Sequence, residues 1–340
     1  MDRGTAHPLV SILIPHYGGT KIIQECLDSI YNTDYPKIEI IVLNNNSLDD
    51  SIKIIQSNYP DVKLIESEYN RGFAGGCNFL SKYANGKFIL ILNNDPVHEK
   101  DWISHLVSRI NSNENISSVQ PKIKKYDHRD FFDYAGASGG FIDKYCFPFS
   151  RGRMFNTIEK DEGQYDDACP IFWASGTAFL TKKYIFEKVG GFDEKLFAHM
   201  EEIDYHWRCQ MQGYEVWVEP HSIIYHHGGA TLPASSSYKT YLNYRNSLIL
   251  LLTNYPMTTS IKLFFPRFLM EFISLIKEII FFRWTHAIGI LKAWFWIIFH
   301  LSFLFNRRKK VENKSMIDKI YNKSIVIQYF IKGKKTYLEL

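Results

Sequence analysis

The first hundred residues alternate between two hydrophobic periods. LVSILI, residues 9–14, is a short β-branched apolar run ended by Pro15, the pattern of a buried strand. Residues 21–31 then place Ile22, Ile23, Cys26, Leu27 and Ile30 at helical spacing. The exchange repeats. IEIIVL (38–43) reads as a strand and 50–57 as a helix; VKLIES (62–67) is a third strand and 75–83 a third helix; KFILIL (87–92) is a fourth strand that stops at NND. Continuous apolar strands alternating with amphipathic helices predict an α/β protein with a mostly parallel sheet covered on both faces. Such a sheet binds its ligands beyond the carboxyl ends of the strands.

Polar residues gather at those ends: PHYGG, NNNSLDD, YNRGFAGG and NNDP follow strands one to four. Asn, Asp and Gly suit any turn, but four such loops on one sheet edge predict a cleft. Residues 127–164 lose regularity and are rich in Gly, Phe, Tyr and Asp, which reads as a long loop over that cleft. Regularity returns with FWASGTAFL (172–180), a strand-like run interrupted by SG. After it come a short helix, GGFDEKLF, a helix in FAHMEEIDYHWR (197–208), a strand in YEVWVEP, and SIIYHHGGATLP.

The last ninety residues differ in kind. A helix is expected at 238–253. Residues 261–305 are apolar and aromatic but broken by Arg267, Glu271, Lys277, Glu278, Arg283, Lys292 and His300, so no window reaches about 18 uncharged apolar residues. The expectation is amphipathic helices in a membrane interface, anchored by Trp284, Trp294, Trp296 and the RRKK run at 307–310. A helical subdomain packed on the sheet, or on a second subunit in a homo-oligomer, is the competing arrangement.

Composition narrows the class. Among 340 residues, 46% are hydrophobic and 22% charged, which excludes wholesale disorder. A net charge of +4 does not imply nucleic acid, which is not expected as a partner. Five scattered cysteines without a CxxC pair argue against a disulfide framework or a zinc knuckle and fit a reducing compartment. The N-terminal apolar run is too short for a signal peptide.

Several residue sets carry candidate chemistry. Asp95 ends an apolar strand, where one carboxylate together with phosphate oxygens would hold a hard divalent cation. A further ligand is needed, and His226 or His227, at the end of SIIYHH, is the candidate. NRGFAGGCN (70–78) is a glycine-rich turn opening a helix, suited to phosphate. It is neither GxGxxG nor a P-loop, and GxSxG and HExxH do not occur. In FAHMEEIDYHWR three carboxylates fall within four residues. Asp204 and Arg208 suit an ordinary supporting pair; Glu201 and Glu202 remain a solvated face, a metal cage or a general base.

The ordered set ILIPHYGG, IIVLNNNSLDDS, NRGFAGGCN, ILNNDP, FWASGTAFL, GGFDEKLFAHMEEIDYHWR and YHHGG resembles the family 2 glycosyltransferases of GT-A fold. More closely it is similar to the rhamnosyltransferase-like branch that builds bacterial surface polysaccharides. The resemblance implies a GT-A domain over 1–237, with a nucleotide-binding half (8–120) and an acceptor and catalytic half (121–237), followed by a membrane-associated helical region over 238–340. It implies that Pro15, Tyr17, Asn44, Asn46, Asp49, Asn70, Arg71, Gly72, Phe73, Ala74 and Asn93 serve the nucleotide. Asn44 stands where the family usually has aspartate. Trp173, Ser175 and Gly176 would face the sugar or the acceptor. Asp95 and His226 would hold Mg²⁺ or Mn²⁺. Glu202 stands where the family's catalytic base, most often an aspartate, stands, with Glu201 assisting. The implied reaction is an inverting, metal-dependent transfer, with L-rhamnose from dTDP-rhamnose as the first guess, to a lipid-linked glycan at the cytoplasmic face of the membrane. Galactofuranosyl or other hexosyl transfer, and a non-catalytic sugar-nucleotide-binding subunit, are the alternatives.

Overall fold

A computed structural model describes residues 7–228, 236–310, 317 and 319–340. Its centre is a sheet whose parallel half is built from β1 (Val10–His16), β2 (Ile38–Asn44), β3 (Lys63–Glu66) and β4 (Phe88–Leu92), in the order 3-2-1-4. Val10 stands opposite Ile38 on one side and Phe88 on the other. Beyond β4 the strand β12 (Ala178–Lys182) enters antiparallel, followed by β6 (Ile116–Lys125) and β13 (Glu215–His226), which run parallel to each other. The short strands β5 (Pro96–His98) and β11 (Cys169–Ile171) both pair with the outer edge of β13.

Alternation along β1 explains the layering. Val10, Ile12 and Ile14 face helices α1 (Thr20–Tyr31), α2 (Ser51–Asn58) and α4 (Trp102–Asn111). Leu13 faces α3 (Gly72–Ser81), α5 (Lys183–Val189) and α6 (Glu201–Met211) on the other side. Strands buried on both faces read as unbroken apolar runs, which is why the first four were legible. The third helix begins at Gly72, not at residue 75 as its apolar spacing suggests.

The segment 127–164 corrects the expectation of a structureless loop. It folds into a small antiparallel sheet of β7 (Gly140–Ile142), β8 (Pro148–Ser150), β9 (Arg153–Met154) and β10 (Thr157–Ile158). Phe149 and Met154 pack there against Ile325 and Tyr329 from the end of the chain. Buried Asp143 fixes the joint by accepting from the amides of Tyr145, Phe147 and Ile325, each at 2.9 Å.

Helices α7 (Ser237–Asn254), α8 (Met257–Ile280), α9 (Trp284–Phe299) and α10 (Leu301–Lys310) follow. Leu248 to Leu251, Ile297 and Leu304 share a core with Trp207 and Ile203, so α6 is covered on two sides. The RRKK run does not supply the expected pair of arginine anchors. Arg307 is buried against Asp193 and Asp204, and Arg308 donates to the carbonyl oxygens of Leu252 and Tyr255. Trp294 donates to Glu271 and Trp296 stacks on His300, whereas Trp284 is exposed. Phe265, Phe272, Phe282, Phe295 and Phe299 are exposed with it. Among the described residues no single helix is long and apolar enough to cross a membrane, although α9 and α10, bent by 69°, pass that test of length and composition as a pair. Of the motif GGATLP, residues from Gly229 onward lie outside the described residues.

Candidate active site

The loops after β1, β2 and β4 meet the start of α3, the break between β11 and β12, and the start of α6 around a cleft of about 370 Å³. Pro15, Tyr17, Asn70, Gly72, Phe73, Asn93, Asp95, Ser175, Gly176, Glu201, Glu202 and His226 all line it. Six other candidates do not. Asn44 donates to Glu66 (2.7 Å) and accepts from the Ser47 amide, tying down the β2 loop. Asn46 is turned outward with φ 68°, and Asp49 accepts from the Gly19 amide at 2.7 Å and from Ser51. The Arg71 guanidinium lies over the rings of Phe79 and Tyr69, and Ala74 is in the core. The indole of Trp173 donates to the Phe141 carbonyl and covers Gly140, where any Cβ would meet the ring at 2.1 Å.

The residue that reaches the cleft from NNNS is Asn45, between the two chosen from the sequence. It accepts from the Arg71 amide (2.8 Å) and donates to the Gly72 carbonyl (3.2 Å), joining the loops after β2 and β3. Asn94 does the same between β1 and β4, donating to Gly18 O and meeting His16 Nδ1 at 2.9 Å. Burial lowers the His16 pKa to about 4, against the pull of Asp49, so the ring is neutral there. A run of asparagines signals this loop in the sequence, but nothing in it says which one turns inward.

Asp95 and His226 come together as expected, with Nε2 3.2 Å from Oδ2. A third residue completes the group: Asp133, from the segment read as a loop, accepts from His226 Nδ1 at 2.9 Å and from the Ala135 amide. A carboxylate can only accept, so Asp133 fixes a proton on Nδ1 and turns Nε2 toward Asp95 and the cleft. Burial opposes charge on His226, but Asp95 and Asp133 outweigh it and raise its pKa to about 10. Asp95 Oδ1 has no hydrogen-bond partner. One oxygen of a buried carboxylate and one oriented imidazole nitrogen suit a divalent cation that takes its remaining ligands from phosphate. No group of three or more His, Cys, Asp or Glu side chains arranged for a metal occurs among the described residues.

Across the cleft, α6 begins with Glu201 and Glu202. Its entry is strained: Phe197, His199 and Met200 have φ of 66°, 65° and 73°. Phe197, with ψ −61°, forms a γ-turn closed by the Ala198 amide on the Leu196 carbonyl at 2.8 Å. Such residues cost about 1–3 kcal/mol each and persist only where their surroundings over-determine them. The turn is tied to the start of α3, because Phe197 O accepts from the Ala74 amide, and a Cβ on Gly72 (φ +68°) would strike the Phe197 ring at 2.5 Å.

The two glutamates are not equivalent. Glu201 is almost fully buried, and a Cβ at Gly176 would lie 3.9 Å from its Oε1; Glu202 keeps part of its surface open. Burial raises both carboxyl pKa values, Glu201 well above its usual value with Glu202 adding to the rise, and Glu202 to about 7 despite amides at the helix start. Asp95 Oδ1, His199 Nε2, Glu201 Oε2 and Glu202 Oε2 all line the cleft without hydrogen-bond partners, four of twelve such buried atoms among the described residues. Their concentration here marks a place built for a ligand rather than for stability. Asp204, by contrast, is the expected support. It accepts from Arg208 (2.9 Å) and Asn254 (2.9 Å), and also from Arg307, a partner the i,i+4 spacing does not reveal.

Comparison with known proteins agrees with this architecture. The chain is 26% identical over 257 residues to the O-antigen biosynthesis protein RfbC of Myxococcus xanthus, covering 72% of this chain and 19% of that protein. It is 24% identical over 249 residues to a low-salt glycan biosynthesis hexosyltransferase of Haloferax volcanii, covering 71% and 74%. It spans 49% of the poly-β-1,6-N-acetyl-D-glucosamine synthase of Staphylococcus epidermidis, so it covers well under two thirds of several of the curated relatives it matches. Among solved structures it is similar to GalNAc-T7 with UDP, GalNAc and Mn²⁺ (TM-score 0.56, 15% identity, covering 73% of this chain and 48% of that one). It is also similar to a mannosyltransferase of Pyrobaculum calidifontis with GDP-Man and Mn²⁺ (TM-score 0.52, 16% identity, 85% and 86%). At these identities the structures establish the GT-A fold. The model for Glycosyl transferase family 2 matches residues 11–190, just over half of the chain, and the chain belongs to that family.

Proposed function

We propose that this cleft is the active site of an inverting glycosyltransferase that moves a sugar from a nucleotide-sugar donor to a hydroxyl of a lipid-linked glycan. The observation that carries the reading is the pairing of Glu202, a half-buried residue whose carboxyl is raised to about 7, with the Asp95–His226–Asp133 group across one cleft. Glu202 takes the proton of the acceptor hydroxyl as that oxygen bonds to the anomeric carbon and the bond to the nucleoside diphosphate breaks. The raised carboxyl is a stronger base than an ordinary glutamate, and it is ionised and able to accept that proton as pH rises through about 7. Asp95 and His226 would hold Mg²⁺ or Mn²⁺, which neutralises charge on the departing diphosphate. Asn70, Gly72 and Phe73 offer the nucleotide a wall continuous with Pro15 and Tyr17, and Ser175 and Gly176 sit on the acceptor side next to Glu201.

The first donor to test is dTDP-L-rhamnose. The relatives named as a hexosyltransferase and as a glucosyltransferase acting on diphosphoundecaprenol-linked GlcNAc favour a hexosyl donor as the second. The exposed aromatic faces of α8 and α9 support a peripheral position on the cytoplasmic side of the membrane, beside a lipid-linked acceptor. Nucleoside diphosphate release from purified protein across a panel of sugar nucleotides tests the reading. Transfer by Glu202→Gln at the wild-type rate would overturn Glu202 as the base, and donor binding with no transfer by the wild-type protein would instead leave a sugar-nucleotide-binding subunit.

A further inference from the structure

The strained turn that aims Glu202 is held from outside the sheet domain. Asn246 on α7 places Nδ2 3.0 Å from Leu196 O, 3.0 Å from Ala198 O and 2.6 Å from His199 O. Arg245 beside it donates through Nη2 to Lys195 O and Leu196 O, both at 3.0 Å. Its Nε donates to Asn246 Oδ1 (2.8 Å), which fixes the amide with its N–H groups toward the turn. Both side chains are buried. These donors serve carbonyl groups from 195 to 199, the residues that carry the γ-turn and the first left-handed residue before Glu201.

We propose that Arg245 and Asn246 are positioning residues that hold Glu202 in catalytic register by clamping the Leu196–Met200 turn. A left-handed turn of ordinary residues relaxes when its carbonyls lose their donors. Relaxation moves the first turn of α6, where Glu202 sits two residues after Met200. The same turn meets the donor loop through Phe197, at Ala74 N and Gly72. Loss of the clamp therefore affects the chemical step more than donor binding. This inference rests on Glu202 being the base.

The test compares full-length Asn246→Ala with Leu275→Ala, a buried α8 residue that packs with Ala287 and Ile290 in a core apart from the one holding Leu196, Met200 and Ile203. Asn246→Ala is expected to lower kcat about 100-fold with the donor KM little changed, because a displacement of about 1 Å is enough for that loss. Hydrogen exchange of peptides covering 196–204 should accelerate in Asn246→Ala. Leu275→Ala should lose thermal stability while keeping kcat and the exchange of that segment. Equal losses of kcat in the two variants, or an unchanged kcat in Asn246→Ala, overturn the proposal. Unchanged exchange over 196–204 overturns the clamp itself. A Glu202→Gln protein as active as wild type overturns the base reading and this inference with it.

Discussion

Glu202→Gln separates function from stability in a way that few substitutions do. Gln has almost the same shape, so the packing of α6 is kept and the charge and basicity are lost. In the folded protein burial raises the carboxyl from 4.5 to about 7, so the folded state binds the proton more tightly than the unfolded one. The penalty is absent below the unfolded value, grows as pH rises between the two and is constant above about 7. At 1.36 kcal/mol per unit it is at most about 3 kcal/mol, and partial exposure of the side chain reduces it to about 1–3 kcal/mol. Glu202→Gln should therefore be more stable than wild type at pH 8, by about a few degrees in Tm, and equal to it near pH 4.5. Removing this charge also lowers the Glu201 pKa, because Glu202 is its second cause after burial. In nucleotide-release assays the variant should lose about 10²–10⁴-fold in kcat with donor affinity retained, and wild-type kcat should rise with pH through about 7. Thermal melts at pH 8 and pH 4.5, beside kcat and KM, decide the matter. An active Glu202→Gln, or one destabilised equally at both pH values, refutes the argument.

Other outcomes follow from single contacts. Asp204→Asn strips a buried carboxylate from Arg208 and Arg307 and should cost about 3–5 kcal/mol in denaturant unfolding. Burial raises the Asp204 pKa, but Arg307 and Arg208 outweigh it and hold the group well below its usual value. Its contribution is thus complete above pH 4 and falls away only as pH drops through that depressed value, a dependence Asp204→Asn should lack. Gly72→Ala places a methyl against the Phe197 ring in a left-handed conformation, and should cost about 1–3 kcal/mol or more in stability and weaken donor binding measured by calorimetry. Treatment with EDTA should abolish turnover and Mn²⁺ or Mg²⁺ restore it, with His226→Ala requiring far more metal. Replacing Phe282 and Trp284 together by Ser should reduce co-sedimentation with anionic vesicles without changing turnover on a water-soluble acceptor.

The sequence determined what depends on local periodicity. Strands buried on both faces must be apolar throughout, so β1 to β4 and their order with α1 to α3 were legible. The loops at their ends had to be polar because backbone and ligand need partners there. Asp95 and His226 were legible because one lies in the loop just after an apolar strand and the other ends one, which places both at the same edge of the sheet. Other choices were left to the tertiary structure because they are matters of direction and distance. Asn45 rather than Asn44 or Asn46 faces the cleft because the chain turns left-handed at Asn46 just after β2 ends. Asp133 joins His226 across a sequence separation of 93 residues, from a segment whose short strands carry no clear alternation. The charges at 307–308 read as a basic membrane anchor until a buried Asp204 appears opposite Arg307. Nothing periodic marks Arg245 and Asn246, since a helix facing four backbone carbonyls reads in sequence like any polar interruption. Polar side chains buried for one another's sake have no signature until the fold brings their partners together.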